Sequence, residues 1–226
     1  MAAWDGDGGR DADGGGDGGA GPHDGRRALP ADFAGRLDEA LAIYVAAMGY
    51  PPGTARQRAP MWNEHTRRPG WRAVAALDDG GRMHGVAYGY AGAPGQWWYE
   101  EVRKGLAPRA PRRRLRPTPS AATDPPAAER SLAWLEHYVE LTELHVDPSS
   151  QGHGLGEALL RRLLAGVDAP VVLLSTPEAE HPTRAWSLYR RLGFADVLRH
   201  HRFSSDPRPF AVLGRPLPLP PAPPPA

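Results

Sequence analysis

A mixed α/β domain follows from the way this 226-residue sequence is patterned. Helical apolar stripes and short strand-like runs alternate in the order αα-ββ-α-β-α-β-α-ββ. One run, Val171 to Leu174, is apolar without a break, as in a central strand buried on both faces. Hydrophobic residues make up 41% of the chain, enough for a real core.

The elements read as follows along the chain. Asp32 is placed to cap a helix whose Phe33, Leu37, Leu41, Tyr44, Val45 and Met48 share one face. Gly49-Tyr50-Pro51-Pro52-Gly53 ends that helix, and a second covers Thr54 to Arg67. Trp71 to Leu77 and Met83 to Tyr90 form a hairpin that turns at Asp78-Asp79-Gly80-Gly81. A short helix from Gln96 to Lys104 carries Trp97 and Trp98. His137 to Val146 is a strand that stops at Asp147-Pro148. Gly152 to Val167 is a helix with Leu155, Leu159, Leu160, Leu163, Leu164 and Val167 as its stripe. After the Val171 strand comes a helix from Thr183 to Leu192, stopped by Gly193. Ala195 to Phe203 and Pro209 to Leu213 are the closing strands.

The flanks differ in composition. Residues 1–28 are dominated by glycine and aspartate and are expected to be disordered, because they have little to bury against their ordering entropy. The domain spans 29–213, and 214–226 is a proline-rich tail. Within the domain, 106–130 is a long proline-rich loop with Arg109, Arg112, Arg113, Arg114 and Arg116. Formal net charge is only +1, and prolines interrupt those arginines, which argues against nucleic acid as the partner. Nothing approaches the roughly 20 apolar residues of a membrane helix, and the N-terminus has no basic and apolar leader. The chain has no cysteine, which removes disulfides, thiolate metal sites and cysteine nucleophiles and suits a cytoplasmic protein. The histidines lack HExxH or comparable spacing, so no metal is expected.

The most informative segment is Gln151-Gly152-His153-Gly154-Leu155-Gly156, set between a strand and a helix. Glycines leave the backbone uncovered, and the helix start presents unsatisfied N–H groups and a positive dipole end. Such a turn suits a pyrophosphate. Glu157 stands where a Walker A loop needs lysine and where a dinucleotide fingerprint needs glycine or alanine, so both fail. The pattern Gln/Arg-x-x-Gly-x-Gly/Ala is met by Gln151, Gly154 and Gly156.

That pattern resembles the acetyl-CoA loop of the GNAT superfamily of N-acetyltransferases. Leu144-His145-Val146-Asp147-Pro148 looks like the family's fourth strand and its exit, and Ala185 to Phe194 looks like its "A-x-x-L-Y-x-x-x-G-F" helix end. Together these cover roughly Glu140 to Val197. The resemblance implies a mostly antiparallel sheet of six to seven strands flanked by helices, with the fourth and fifth strands splayed. It implies transfer of an acetyl group from acetyl-CoA, as co-substrate, to a primary amine by direct attack. It places the donor against Leu144, His145, Val146 and the residues Gln151, Gly152, His153, Gly154, Leu155 and Gly156, with the Val146 amide polarising the thioester carbonyl. Tyr189 falls at the leaving-group acid, fitting for a phenol of pKa about 10. Glu140 aligns with a catalytic glutamate of several members, and Glu143 with another frequent glutamate; His145, a water chain or no dedicated base is the remaining choice. Strand alternation sets Glu140 and Thr142 on one face and Glu143 and His145 on the other, unless a bulge intervenes. Many relatives carry asparagine where this chain has Pro182, which removes a contact to pantetheine. A non-catalytic acyl-CoA-binding regulatory module is the rival reading, but it needs neither Tyr189 nor Glu140. The sequence leaves open whether the amine belongs to a small molecule or a protein, and whether the chain is a homodimer.

Overall fold

The computed structural model describes residues 27–30, 33, 35–107, 132–178, 183–204 and 206–222. Its elements are β1 (Arg27–Pro30), α1 (Leu37–Met48), α2 (Thr54–His65), β2 (Arg72–Leu77), β3 (Met83–Ala91), α3 (Trp97–Leu106), β4 (Val139–Val146), α4 (Leu155–Leu164), β5 (Val171–Pro177), α5 (Arg184–Arg191), β6 (Ala195–His201) and β7 (Phe210–Pro216). The strands make one seven-stranded sheet in the order β1-β2-β3-β4-β5-β7-β6. All neighbours are antiparallel except β4 with β5. This is the mixed, mostly antiparallel fold that the sequence predicts. No described helix is long and apolar enough to cross a membrane.

Alternation along the strands sorts the core into two layers. On one face, the stripe Leu155, Leu159, Leu160, Leu163 and Leu164 of α4 packs with Leu188 and Tyr189 of α5 on Val139, Leu141, Val172 and Leu174. On the other face, α1 and α2 cover β2 and β3 through Leu41, Tyr44, Trp62 and Tyr88. There α3 covers β5 and β7 through Trp98, Val102, Leu173 and Val212. The α1/α2 and α3 clusters flank β4.

Several boundaries are corrected. Strand β1 begins at Arg27, inside the segment expected to be disordered, because Arg27 to Pro30 complete a ladder with Leu77 to Val74. Helix α1 starts at Leu37, and Phe33 precedes it, buried against Trp62, Trp71 and Tyr88. Helix α4 starts at Leu155, because Gly152 and Gly154 have φ of 89° and 77° and belong to the turn. Strand β7 continues into the proline-rich tail as far as Pro216, paired with Val171, and Leu217 and Leu219 pack on the core. Asp32, Pro182, the arginines from Arg109 to Arg116 and the first 26 residues lie outside the described residues.

The β3–β4 ladder holds the feature that shapes the site. Tyr88 pairs with Glu143 but Gly89 pairs with Leu141, so Thr142 is an extra residue, a bulge in β4. A Cβ at Gly89 would lie 2.3 Å from the Glu140 carbonyl oxygen. Only glycine allows this approach. Gly89→Ala is expected to destabilise the fold by about 1–3 kcal/mol, read as a lowered denaturant midpoint.

Candidate active site

Strands β4 and β5 pair only at Val139–Val172 and Glu140–Leu173, then separate. Beyond Glu140 the β5-facing edge of β4 is therefore open. The Asp147 amide donates to the His84 carbonyl of β3 at 2.9 Å. Since N–H directions alternate along a strand, the Leu144 and Val146 amides point into the gap. The Leu144 and Val146 side chains pack on the α4 face.

The glycine turn sits at the end of that gap. Among the described residues, none of the consecutive amides of Gly152, His153, Gly154, Leu155 and Gly156 has a hydrogen-bond acceptor. Leu155 buries its side chain and offers only its amide. The Gln151 side-chain amide donates to the Val146 carbonyl at 3.1 Å, tying turn to strand. His153 Nδ1 lies 3.3 Å from the Ser150 carbonyl. In the first turn of α4, Glu157 would repel an anion, but Arg161 and Arg191 neutralise it at 2.8 Å each.

Sequence reasoning missed Arg184. Its Nη1 lies 3.1 Å from where a Cβ on Gly152 would stand, so an exposed cation at the start of α5 overlooks the turn. No carboxylate pairs with it among the described residues. One residue before the matched helix motif, it carried no signal of its own. Arg184→Ala is expected to raise KM for acetyl-CoA about fivefold and leave kcat unchanged in steady-state assays.

The bulge corrects the face assignment of β4. Because Thr142 is the extra residue, Glu140, Glu143 and His145 pair with Tyr90, Tyr88 and Val86 and all face α1 and α2. Glu140 is 3% exposed. Its Oε1 accepts from Tyr90 Oη at 3.2 Å, while Oε2 is sealed from solvent with no partner. Arg68 donates to the same Tyr90 hydroxyl at 2.7 Å. Burial pushes the Glu140 carboxyl up to about 7. Glu143 Oε2 and His145 Nε2 are 2.5 Å apart, and the His145 ring meets Tyr44 edge-on at 5.0 Å.

Tyr189 comes from the opposite face. It is buried beside Phe194, with ring centroids 5.4 Å apart. Its hydroxyl has no hydrogen-bond partner among the described residues and is not sealed from solvent. Burial, and then the charge of Glu143, push the phenol well above its ordinary value. Glu143 lies on the other face of the sheet, paired with Tyr88. Trp98, by contrast with the 49% exposed Trp97, is buried and donates to Ser175 Oγ at 3.1 Å.

These features, a splayed parallel pair beside a turn of free amides, are those of an acyl-CoA-dependent acyltransferase. A model of the acetyltransferase (GNAT) domain matches residues 127–196. A GCN5-like protein acetyltransferase, Rv2170 of Mycobacterium tuberculosis, is 48% identical over 216 residues, covering 84% of this chain and 96% of the relative. The chain belongs to the GNAT acetyltransferase family, and so to proteins that transfer an acetyl group from an acyl-CoA. Solved structures share its fold at low identity. The ribosomal-protein-S18-alanine N-acetyltransferase of Escherichia coli has a TM-score of 0.53 at 14% identity, covering 84% of this chain and 93% of the other. A phosphinothricin acetyltransferase of Sinorhizobium meliloti, solved in complex with acetyl-CoA, has a TM-score of 0.51 at 21% identity, covering 85% and 89%.

Proposed function

We propose that the chain transfers the acetyl group of acetyl-CoA to a primary amine by direct attack. The observation that carries this reading is the gap between β4 and β5, with Tyr189 on one face and Glu140, Glu143 and His145 on the other. The donor's pyrophosphate takes the free amides of Gly152 to Gly156, and its thioester lies along the Leu144 and Val146 amides. The amine approaches from the side of α1, α2 and α3.

The chemistry divides among these groups. The amine nitrogen attacks the thioester carbon while the Val146 amide stabilises the oxyanion. Glu140, sealed behind Tyr90, takes the amine's proton through a water chain rather than by contact, and a carboxyl pushed up to about 7 is matched to neutral pH. The C–S bond breaks and Tyr189 protonates the departing thiolate. The Glu143–His145 pair fixes the polar wall of the acceptor side.

The acceptor reading is a protein amine. It is supported by the 48% identical relative, which is a protein acetyltransferase. The donor and the absence of cysteine fit a cytoplasmic enzyme. Purified protein with acetyl-CoA and a panel of lysine peptides, N-terminal peptides and small amines tests this. Thiol release with peptides supports a protein acceptor, whereas release only with small amines overturns it.

A further inference from the structure

Asp78, His84 and Ser150 form a hydrogen-bonded chain from the β2–β3 turn to the glycine turn, in which His84 and Ser150 are buried and Asp78 is partly exposed. Ser150 closes a short 3-10 turn, Pro148–Ser150, and has no exposed surface. Its hydroxyl is 3.0 Å from His84 Nδ1, and His84 Nε2 is 2.9 Å from Asp78 Oδ2. Asp78 is itself fixed, accepting from the Arg82 amide at 2.9 Å. Its carboxyl is held below the usual range, first by the His84 hydrogen bond.

These are the residue types of a hydrolytic triad, but the geometry excludes that use. A nucleophilic serine must reach substrate, and Ser150 is sealed. The carboxylate accepts from Nε2–H, which leaves Nδ1 as the ring atom that bonds Ser150. Whichever of the two donates, Nδ1 and the Ser150 hydroxyl share one hydrogen bond, and the hydroxyl is locked in place.

Ser150 is the point from which the glycine turn departs. Its amide donates to the Asp147 carbonyl at 2.8 Å, and its carbonyl is the partner of His153 Nδ1. Beyond it, Gly154 has no packing around it. Nothing stands within 4 Å of a Cβ built on Gly154, and Gly152 and Gly154 both have positive φ. The direction of the free amides is therefore set by hydrogen bonds at Ser150 and from Gln151 to Val146, with the buried Leu155 side chain anchoring the far end of the turn.

We propose that Asp78, His84 and Ser150 are positioning residues that hold the turn in its acetyl-CoA-binding conformation and so set donor affinity from outside the cleft. This rests on the reading that the donor's pyrophosphate lies on Gly152 to Gly156. The three act through the turn and touch no reacting atom.

The test compares Ser150→Ala, His84→Asn and His84→Gln in the full chain, by calorimetric acetyl-CoA binding and steady-state kinetics. An asparagine amide reaches the place of Nδ1 and faces Ser150; a glutamine amide reaches the place of Nε2 and faces Asp78. Ser150→Ala and His84→Gln are expected to raise both Kd and KM for acetyl-CoA about tenfold. Acceptor KM and kcat at saturating donor move less than about twofold, and His84→Asn recovers most of the affinity. Wild-type donor affinity in Ser150→Ala, or equal losses in His84→Asn and His84→Gln, overturns the positioning role. If the wild-type chain binds no acetyl-CoA, the reading of the turn fails, and the positioning role with it.

Discussion

Tyr189→Phe is expected to lower kcat by about two orders of magnitude while leaving acetyl-CoA affinity and stability near wild type. The substitution removes one oxygen. The ring keeps its place among Leu188, Leu192 and Phe194, so the core is not opened. The hydroxyl gives up no hydrogen bond inside the protein, since it makes none among the described residues. What is lost, on the proposed mechanism, is a proton source beside the gap. Burial and Glu143 keep the phenol protonated at neutral pH, the state an acid must start from. Thiol-release kinetics with parallel calorimetry read the split between kcat and binding. Wild-type kcat in this variant removes Tyr189 from the chemistry.

Glu140→Gln separates activity from stability, because the two depend on pH with opposite signs. Burial raises the folded-state carboxyl from 4.5 to about 7. The folded protein therefore holds a proton that the unfolded chain has released between those values. Its contribution to stability is full below the unfolded value and is lost as pH rises through about 7. On the proposed mechanism activity runs the other way, since only the ionised carboxylate accepts a proton. Wild-type kcat/KM is expected to climb through pH of about 7 while the melting temperature falls. In Glu140→Gln the alkaline activity drops about 100-fold, the climb near 7 disappears, and the variant melts above wild type at pH 8. A variant that keeps both the climb and the rate shifts the base to the Glu143–His145 pair.

Much of this was legible in the sequence where local chemistry decides the outcome. Thr183 accepts from the Trp186 amide and Gly193 has φ of 77°, so α5 begins and ends where its residues direct. The unbroken Val171 run is a buried strand, and the α4 leucines form the expected stripe. Long-range pairing hid the rest. The bulge at Thr142 depends on Gly89, about 50 residues away, so period-two counting set Glu143 on the wrong face from Glu140. Proline-rich composition at the C-terminus obscured Gly214 to Pro216, whose place is fixed by the edge of β5. Ser150 lies far in sequence from Asp78 and His84 and meets them only because β3 runs beside the exit of β4. Arg184 faces the turn only once α5 is folded against it.

The decisive measurement is amine-dependent release of CoA thiol from acetyl-CoA, with mass spectrometry of the acceptor in the same reaction. Acetyl transfer through the β4–β5 gap predicts thiol and N-acetylated amine in equal amounts, both lost in Tyr189→Phe. Acetyl-CoA that binds tightly while no amine in the panel raises thiol release above the amine-free rate would contradict it.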